Sequence, residues 1–143
     1  MQFADRTVIV TGGGSGIGQA MAAGFAREGA AVVIADRDAE RANAVAGKIA
    51  ATGGKAVASH TDVSVSQEVE AMVRLSVASF GAVDVLVNNA AASGGDNLAL
   101  MDEATWDRDL AICLKSAFLC CRHALPGMIE RRRGVVLNIS SVN

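Results

Sequence analysis

Short runs of apolar, β-branched residues alternate along the chain with segments in which apolar residues recur every three or four positions. The first pattern is typical of strands buried on both faces, and the second of amphipathic helices. The runs are Thr7 to Thr11, Ala31 to Ala35, Lys55 to Ser59, Val83 to Val87 and Gly134 to Ser140. The alternation predicts an α/β fold: a parallel sheet of five strands with helices on both faces, in three layers.

Capping residues mark the ends of the predicted helices. Asp38 precedes the second helix, Ser64 and Gln67 have the spacing of a capping box before the third, and Gly53 and Gly81 follow the two helices. The predicted apolar face of the first helix is Ile17, Ala20, Met21, Gly24 and Phe25. That of the third is Val69, Met72, Val73, Val77 and Phe80.

The last helical region is predicted from about Asp102 to Arg133, after a loop rich in Ala, Gly and Ser. One apolar stripe on it consists of Leu110, Leu114, Ala117, Phe118, Cys121 and Leu125. Another side carries Ile112, Leu119 and His123. One stripe can cover the sheet, whereas a second needs another partner. The fifth strand also presents an apolar edge from Val135 to Ile139. We therefore expect a homo-oligomer, or self-association through the long helix and the fifth strand.

Right-handed crossovers between parallel strands give a doubly wound sheet. Ligands of such sheets lie beyond the carboxyl ends of the strands, where the strand order reverses. The chain has 143 residues, which fits one domain over residues 1–143, and it contains no linker or repeat.

Composition and charge exclude several classes of protein. The chain is 51% apolar and 20% charged, with a net charge of -2 and a pI of about 5.6. We therefore expect neither a disordered chain nor a nucleic-acid or membrane partner. The one basic run, Arg131 to Arg133, is interpreted as a solvated helix end rather than a phosphate site.

Targeting and metal signals are weak. The N-terminus lacks the order typical of a signal peptide, and no apolar stretch approaches the roughly 18 residues that span a bilayer, so we expect a cytoplasmic protein. Three cysteines, Cys113, Cys120 and Cys121, cluster on one helix, which fits no disulfide framework. Cys120 and Cys121 point in different directions on a helix, so no metal site is expected.

The turn after the first strand reads Thr-Gly-Gly-Gly-Ser-Gly-Ile-Gly, from Thr11 to Gly18. The G-x-G-x-x-G register fails here, and so does a Walker loop, because Gln19 stands where a lysine is needed. G-x-x-x-G-x-G fits, with Gly12, Gly16 and Gly18. With Ser15 and Ile17, these glycines open a helix whose N–H groups can approach a pyrophosphate.

Polar residues follow the next three strands. Asp36 ends the second strand, where a carboxylate accepts hydrogen bonds from the adenosine ribose and repels a 2′-phosphate. Arg37 beside it tolerates a 2′-phosphate, so the pattern favours NAD with NADP as the alternative. Asp62 and Val63 follow the third strand, and Asn88 to Ala91 the fourth, where the fold predicts cofactor contacts.

With these motifs in order, the chain resembles the short-chain dehydrogenase/reductase family over all its residues. The motifs are TGGGSGIG, Asp36, the TDV of Thr61 to Val63, the NNA of Asn88 to Ala90, the WD of Trp106 and Asp107, and the NISS of Asn138 to Ser141. The resemblance implies a Rossmann-type sheet and hydride transfer between the nicotinamide cofactor and an alcohol or ketone. It also implies that Asp62 meets the adenine and Val63 lines its pocket. Asn89 and Ala90 then pass near the nicotinamide ribose, and Ser141 bonds the substrate oxygen.

Three positions depart from the family pattern. Ala91 replaces the glycine of Asn-Asn-Ala-Gly, a mild change unless the residue needs a positive φ. Cys113 replaces an asparagine that helps to hold a proton-relay water; it is interpreted as an inert core cysteine, with a nucleophilic role as the alternative. The family's Tyr-x-x-x-Lys motif is absent, and the chain contains no tyrosine.

The resemblance thus implies the N-terminal part of the family's domain, truncated before the catalytic motif, with the later strands and helices missing. We expect the isolated chain to bind NAD(H) and to be inactive or nearly so. A non-catalytic NAD-binding module, completed by or regulating another chain, is the alternative from another class. A third reading is a structural remnant that binds no cofactor. The substrate stays unidentified.

Overall fold

The described part of the chain forms one five-stranded parallel sheet. A computed structural model describes residues 1–92 and 97–141. The strands are β1 (Thr7–Thr11), β2 (Ala31–Asp36), β3 (Lys55–His60), β4 (Val85–Asn88) and β5 (Val135–Asn138). Their order across the sheet is β3-β2-β1-β4-β5, and every neighbouring pair is parallel. The predicted doubly wound sheet is confirmed, although β4 begins later and β5 is shorter than the apolar runs suggested.

Helices connect the strands in chain order. They are α1 (Gly16–Arg27), α2 (Ala39–Ala51), α3 (Ser66–Phe80), α4 (Glu103–Leu110) and α5 (Ser116–Glu130). A 3₁₀ turn (Leu98–Leu100) precedes α4, and a π-helical turn (Ala111–Lys115) joins α4 to α5. Part of the predicted Ala-, Gly- and Ser-rich loop, residues 93–96, lies outside the described residues.

Each face of the sheet has its own core. Val8 and Val10 of β1 pack with α1 and α2 through Ala22, Val45 and neighbouring side chains. The intervening Ile9 points to the opposite face, where α3 and α5 cover it with residues that include Met72. The core side chains of α5 are Leu119, Cys120, Ala124 and Met128. The alternation of strand side chains thus gives the predicted three layers.

The strand order reverses at β1. The chain crosses from β1 to β2 and β3 on one side, and then returns to place β4 and β5 on the other. The carboxyl ends of β1 and β4 therefore diverge into helices on opposite faces of the sheet. A crevice opens between them, which is the position that doubly wound sheets use for ligands.

Two predicted helix faces need correction. On α1, Gly18 and Ala22 are buried, whereas Ile17 is 67% exposed. On α3, Val77 is 47% exposed and Ser76 is buried in its place. The Ser76 hydroxyl donates to the Ala82 carbonyl at 2.9 Å, so this buried polar group is satisfied. The periodicity of apolar residues did not predict the burial of Gly18 on α1 or of Ser76 on α3. A small residue, or one whose polar group is hydrogen-bonded, can approach the sheet more closely than a bulky apolar one.

The caps are partly as predicted. The Asp38 side chain accepts from the Arg41 N–H, and Gly81 ends α3 with φ of 86°, which confirms both residues. The capping box is wrong: α3 begins at Ser66 after Val65, without a side-chain cap. Ser64 instead donates to Asp62, because that carboxylate lies two residues away and forms a tighter local turn.

The last helical region is one continuous helix, Glu103–Glu130, that is long and apolar enough to cross a membrane by length and composition alone. This corrects the expectation that no stretch reaches that length. In the apolar 18-residue segment of this helix, only 28% is buried. One side packs into the core, and the other leaves large side chains in solvent. The first predicted stripe lies mostly on the solvent side, and Leu119 alone among the buried core residues of α5 belonged to a predicted stripe. These exposed side chains are Leu110, Leu114, Phe118, Leu125 and Ile129.

The basic run after α5 folds back onto the sheet. Arg133 pairs with the buried Asp84 carboxylate, with N–O distances of 2.8 and 3.0 Å. Arg131 donates to the Val83 carbonyl at 2.7 Å. The Asp84 carboxylate also accepts from the Thr7 N–H at 2.9 Å. The run is therefore not simply a solvated helix end, since it joins the start of β5 to the starts of β1 and β4.

We predict that Asp84→Ala lowers the free energy of unfolding by about 2–4 kcal/mol, because it removes charged hydrogen bonds and leaves the buried Thr7 N–H without this partner. Glu70→Ala is the control: Glu70 forms an exposed pair with Arg74 one turn away, and such pairs contribute about 0.3–0.5 kcal/mol. Urea unfolding of both variants measures the difference. Equal losses of unfolding free energy in the two variants would contradict the stabilising role assigned to the buried Asp84 carboxylate.

Candidate functional site

A cavity of about 520 Å³ lies at the crevice between β1 and β4. It extends from the glycine turn, past the end of β2, to the segments after β3 and β4. The residues that line it are Gly12, Ser15, Gly16, Ile17, Gly18, Asp36, Arg37, Arg41, Thr61, Asp62, Val63, Asn89, Ala90, Ala91 and Ile112. The cavity thus brings together every residue that the sequence suggested for cofactor binding. Thr61, like Thr11, belonged to a motif without being a predicted site residue, and Arg41 and Ile112 lie outside the motifs.

The glycine turn has the shape of an anion cradle. Gly12 and Gly16 have φ of 63° and 52°, a region that favours glycine. A Cβ on Gly18 would collide with the Gly12 carbonyl oxygen and lie 2.7 Å from Asn89 Nδ2. The helix α1 begins directly after this turn, with Ser15 as an exposed cap whose side chain makes no capping hydrogen bond. The first N–H groups of α1 thus remain available to a phosphate.

Gly14 is tied to Asp36, a connection that the G-x-x-x-G-x-G spacing did not reveal. The Gly14 N–H donates to Asp36 Oδ2 at 2.9 Å. A Cβ on Gly14 would lie 2.8 Å from the same oxygen and 2.9 Å from the Arg41 Cβ. The third glycine of the turn is therefore needed for its close approach to β2.

Asp36 is oriented by backbone hydrogen bonds. Besides the Gly14 N–H on Oδ2, the Asp38 N–H donates to Oδ1 at 3.0 Å. The carboxylate is partly buried, and each oxygen keeps acceptor capacity for a hydroxyl group. Arg37 is exposed beside it, and Arg41 forms an ion pair with Asp38, with Nε and Oδ2 3.1 Å apart. Two cations thus border the carboxylate.

Asp62 forms the next part of the wall. The Ser64 hydroxyl and then the Ser64 N–H, both on Oδ1, hold the pKa of Asp62 below its usual value. A lowered folded-state pKa contributes stability above the unfolded value, and this contribution is lost as the pH falls through the folded pKa. Asp62 is thus an anion at neutral pH, oriented to accept hydrogen bonds. Val63 beside it is buried and packs into the core.

The floor of the crevice is held by Thr11 and Asn89. The buried Thr11 hydroxyl donates to the Val87 carbonyl and accepts the N–H groups of Asn89 and Ala90, at 3.0 to 3.2 Å. The Asn89 side chain donates to the Thr11 carbonyl at 2.9 Å. The amide nitrogen of Asn89 is therefore committed to fixing the ends of β1 and β4. Thr11 was part of the motif but not a predicted site residue.

The residues suggested for chemistry lie apart from this cavity lining. Ser141 is exposed beyond the end of β5. Cys113 is exposed too, so its interpretation as a core cysteine is wrong. It lies in the π-helical turn, which exposes its side chain, and its sulfur is hydrogen-bonded to the Ala92 backbone. Ala91 does not have a positive φ, so its replacement of glycine is indeed mild.

Within residues 1–92 and 97–141, no group of three or more His, Cys, Asp or Glu side chains is placed so that it could hold a metal ion. Cys120 is buried against the sheet, and burial raises the pKa of its thiol to about 12. Cys120 is therefore a protonated core residue.

The buried Asn88 side chain donates to Asn138 at 2.9 Å, and joins the ends of β4 and β5.

A glycine turn at a helix N-terminus, a carboxylate at the end of β2 and an acidic residue after β3 are together typical of a Rossmann-type dinucleotide site. The chain matches the family model for short chain dehydrogenases over residues 6–143. It belongs to the short-chain dehydrogenase/reductase family, as the order of the motifs implied.

Curated relatives support the same conclusion. The chain is 36% identical over 99% of its length to the (2S)-[(R)-hydroxy(phenyl)methyl]succinyl-CoA dehydrogenase subunit BbsD of Thauera aromatica, and covers 57% of that protein. It is 40% identical over 96% of its length to a probable galactose dehydrogenase of Rhizobium meliloti, and covers 54% of it. The chain thus spans about half the length of the curated relatives that it matches.

Two solved structures are also similar. A 7α-hydroxysteroid dehydrogenase, in complex with NADH and 7-oxo glycochenodeoxycholic acid, has a TM-score of 0.93 and 36% identity. The match covers 98% of this chain and 55% of that one. A metagenomic short-chain oxidoreductase in complex with NADP has a TM-score of 0.93 and 38% identity, over 100% of this chain and 65% of its own. The two complexes contain different cofactors.

We predict that Gly18→Ala destabilises the chain by about 1–3 kcal/mol, because the new methyl group meets backbone that cannot move aside. Gly47→Ala is the matched control. Gly47 lies inside α2 with nothing within 4 Å of the new Cβ, so this change stabilises by about 0.5–1 kcal/mol. Thermal unfolding distinguishes them; a neutral Gly18→Ala change would rule out the close approach.

Proposed function

We propose that this chain binds NAD(H) in the crevice and derives from enzymes that interconvert alcohols and ketones. The observation that carries the proposal is the Gly14–Asp36 hydrogen bond, which holds a carboxylate next to the glycine cradle. The pyrophosphate would lie on the N-terminus of α1, and the ribose hydroxyls on Asp36. A bound nicotinamide supplies the hydride acceptor or donor.

The preference for NAD over NADP rests on charge. A 2′-phosphate beside Asp36 meets a carboxylate whose orientation is fixed by Gly14 and Asp38. Arg37 is exposed and attracts the phosphate only through solvent-screened charge. Arg41 lines the cavity, but its Nε is engaged by Asp38. Repulsion at short range therefore outweighs attraction from the two cations.

Calorimetric titration tests this preference. We predict tighter binding of NAD than of NADP, and a loss of about tenfold or more in NAD affinity for Asp36→Ala, because a hydrogen bond to a charged group contributes about 1.5–3 kcal/mol. The affinity for NADP should change less. Glu40→Ala, an exposed acid in the first turn of α2, is the charge control. Equal affinities for both cofactors in the wild-type chain would refute the assignment, and no binding of either would favour a structural remnant.

The second part of the proposal concerns the chemistry. Ser141 can orient a substrate oxygen but supplies no proton near neutral pH, and the 143 residues contain no tyrosine. The isolated chain is therefore proposed to bind cofactor without turnover. The same observation favours the alternative of a non-catalytic NAD-binding module that is completed by another chain.

We predict no alcohol oxidation or ketone reduction above background by the purified 143-residue chain. General acid–base catalysis contributes roughly 10²–10⁴-fold, and its loss puts turnover near the detection limit. The assay follows NADH absorbance with a panel of secondary alcohols and ketones, and Ser141→Ala serves as the comparison. NADH production that is abolished by Ser141→Ala would contradict the prediction.

Self-association is the third part of the proposal. Leu114 and Phe118 are 67% and 58% exposed on the outer side of the last helix. They line a shallow groove of about 730 Å³, which reaches Asn138 at the end of β5. The nearby side chains Val135, Leu137 and Ile139 are also exposed. An apolar surface of this extent next to an open strand edge favours a second copy of the chain.

Light scattering should therefore show dimers or larger species at high concentration. We predict that Phe118→Asp shifts the population toward the 14.6 kDa monomer, since a charge in an apolar interface is costly. Val77→Asp is the control, because Val77 is an exposed apolar residue on α3 that does not line this groove. A wild-type chain that stays monomeric would refute the proposal.

A further inference from the structure

We propose that Cys113 is a positioning residue for the cofactor, and that its thiol holds the loop after β4 against the π-helical turn. This inference rests on the proposed NAD binding. The contact consists of two hydrogen bonds to one residue. The Cys113 S–H donates to the Ala92 carbonyl at 3.2 Å, and the sulfur accepts the Ala92 N–H at 3.4 Å.

The two segments that this contact joins are both walls of the cofactor cavity. Ala90 and Ala91 line it just before Ala92, and Ile112 lines it just before Cys113. The Thr11 hydroxyl holds the start of the loop through the N–H groups of Asn89 and Ala90. Cys113 holds the end of the same four-residue stretch. The stretch from Asn89 to Ala92 is thus held at both ends, beside the cavity that Ala90 and Ala91 line.

The π-helical turn presents the thiol to the loop. Such a turn inserts an extra residue into the helix and often marks a functional site. Here it spans Ala111–Lys115 with Cys113 at its centre. The Ser116 hydroxyl donates to the Ile112 carbonyl at 2.5 Å, so the altered backbone keeps a hydrogen-bond partner there. The turn is therefore a supported feature that can carry a side chain with a fixed direction.

The thiol does chemically what a carboxamide would do at this position. It offers one donor and one acceptor to the N–H and C=O groups of a single residue, although each bond is weaker than its amide counterpart. An asparagine can make the same pair of bonds, and alanine can make neither. The position therefore requires a group that both donates and accepts, and this requirement separates a positioning role from simple packing.

Packing gives no other reason for this residue. Cys113 is exposed and belongs to neither core cluster. Its removal should leave the melting temperature nearly unchanged, as for most surface substitutions. Its contribution is expected in the geometry of Ala90 and Ala91, and hence in cofactor affinity.

The test compares Cys113→Ala with Cys113→Asn, and uses Cys121→Ala as a thiol control on the same helix. Hydrogen exchange of the Ala92 amide, measured by NMR without ligand, reports the contact itself. We expect faster exchange in Cys113→Ala, and protection in Cys113→Asn and Cys121→Ala. Equal protection of Ala92 in all variants would overturn the proposed contact.

Calorimetric titration with NAD then reports the positioning role. Cys113→Ala should weaken binding by about three- to tenfold, the loss expected for one or two weak neutral hydrogen bonds, and Cys113→Asn should restore it. Unchanged affinity in Cys113→Ala, despite faster exchange at Ala92, would overturn the role. If the wild-type chain binds no NAD, the proposed function fails and the positioning role fails with it. The exchange result separates that outcome from failure of the contact.

Discussion

The buried hydroxyl of Thr11 is the interaction on which the site depends. It accepts two N–H groups from the segment after β4 and donates to the carbonyl of Val87 within that strand. All of its hydrogen-bonding capacity is therefore used at the point where the strand order reverses. Beyond the last paired residues, Val10 and Val87, the Asn89 side chain adds a second link by donating to the Thr11 carbonyl. These hydrogen bonds join the ends of β1 and β4 at the floor of the crevice.

Carboxylates lie at both ends of the parallel strands, and they differ in burial and in hydrogen bonding. At the amino ends of the strands, the Asp84 carboxylate is buried and fully engaged by Thr7 and Arg133, so it fastens β5 to the interior. At the carboxyl ends, Asp36 and Asp62 are only partly buried and keep acceptor capacity toward the cavity. One acid contributes to stability, and the other two are available to a ligand.

The sequence predicted the sheet because its strands are apolar on both faces, and it predicted the cavity lining because the motifs follow successive strands. It failed where contact depends on atoms distant in the chain. Periodicity could not show that Ile17 faces the cavity rather than the core, since an apolar residue at a helical position fits either. The capping-box spacing of Ser64 and Gln67 was real, but the nearer Asp62 carboxylate competed for the serine. Cys113 was assigned to the core from its type, and only the π-helical turn brings it to the surface beside Ala92.

The bond from Gly14 to Asp36 has a consequence for redesign of this chain. Asp36, at the end of the second strand, also anchors the glycine turn, so under the proposed cofactor binding its replacement would alter phosphate binding and ribose recognition together. A redesign that keeps the carboxylate and instead works on the Arg41–Asp38 ion pair would change the charge beside the ribose while leaving the turn in its original shape.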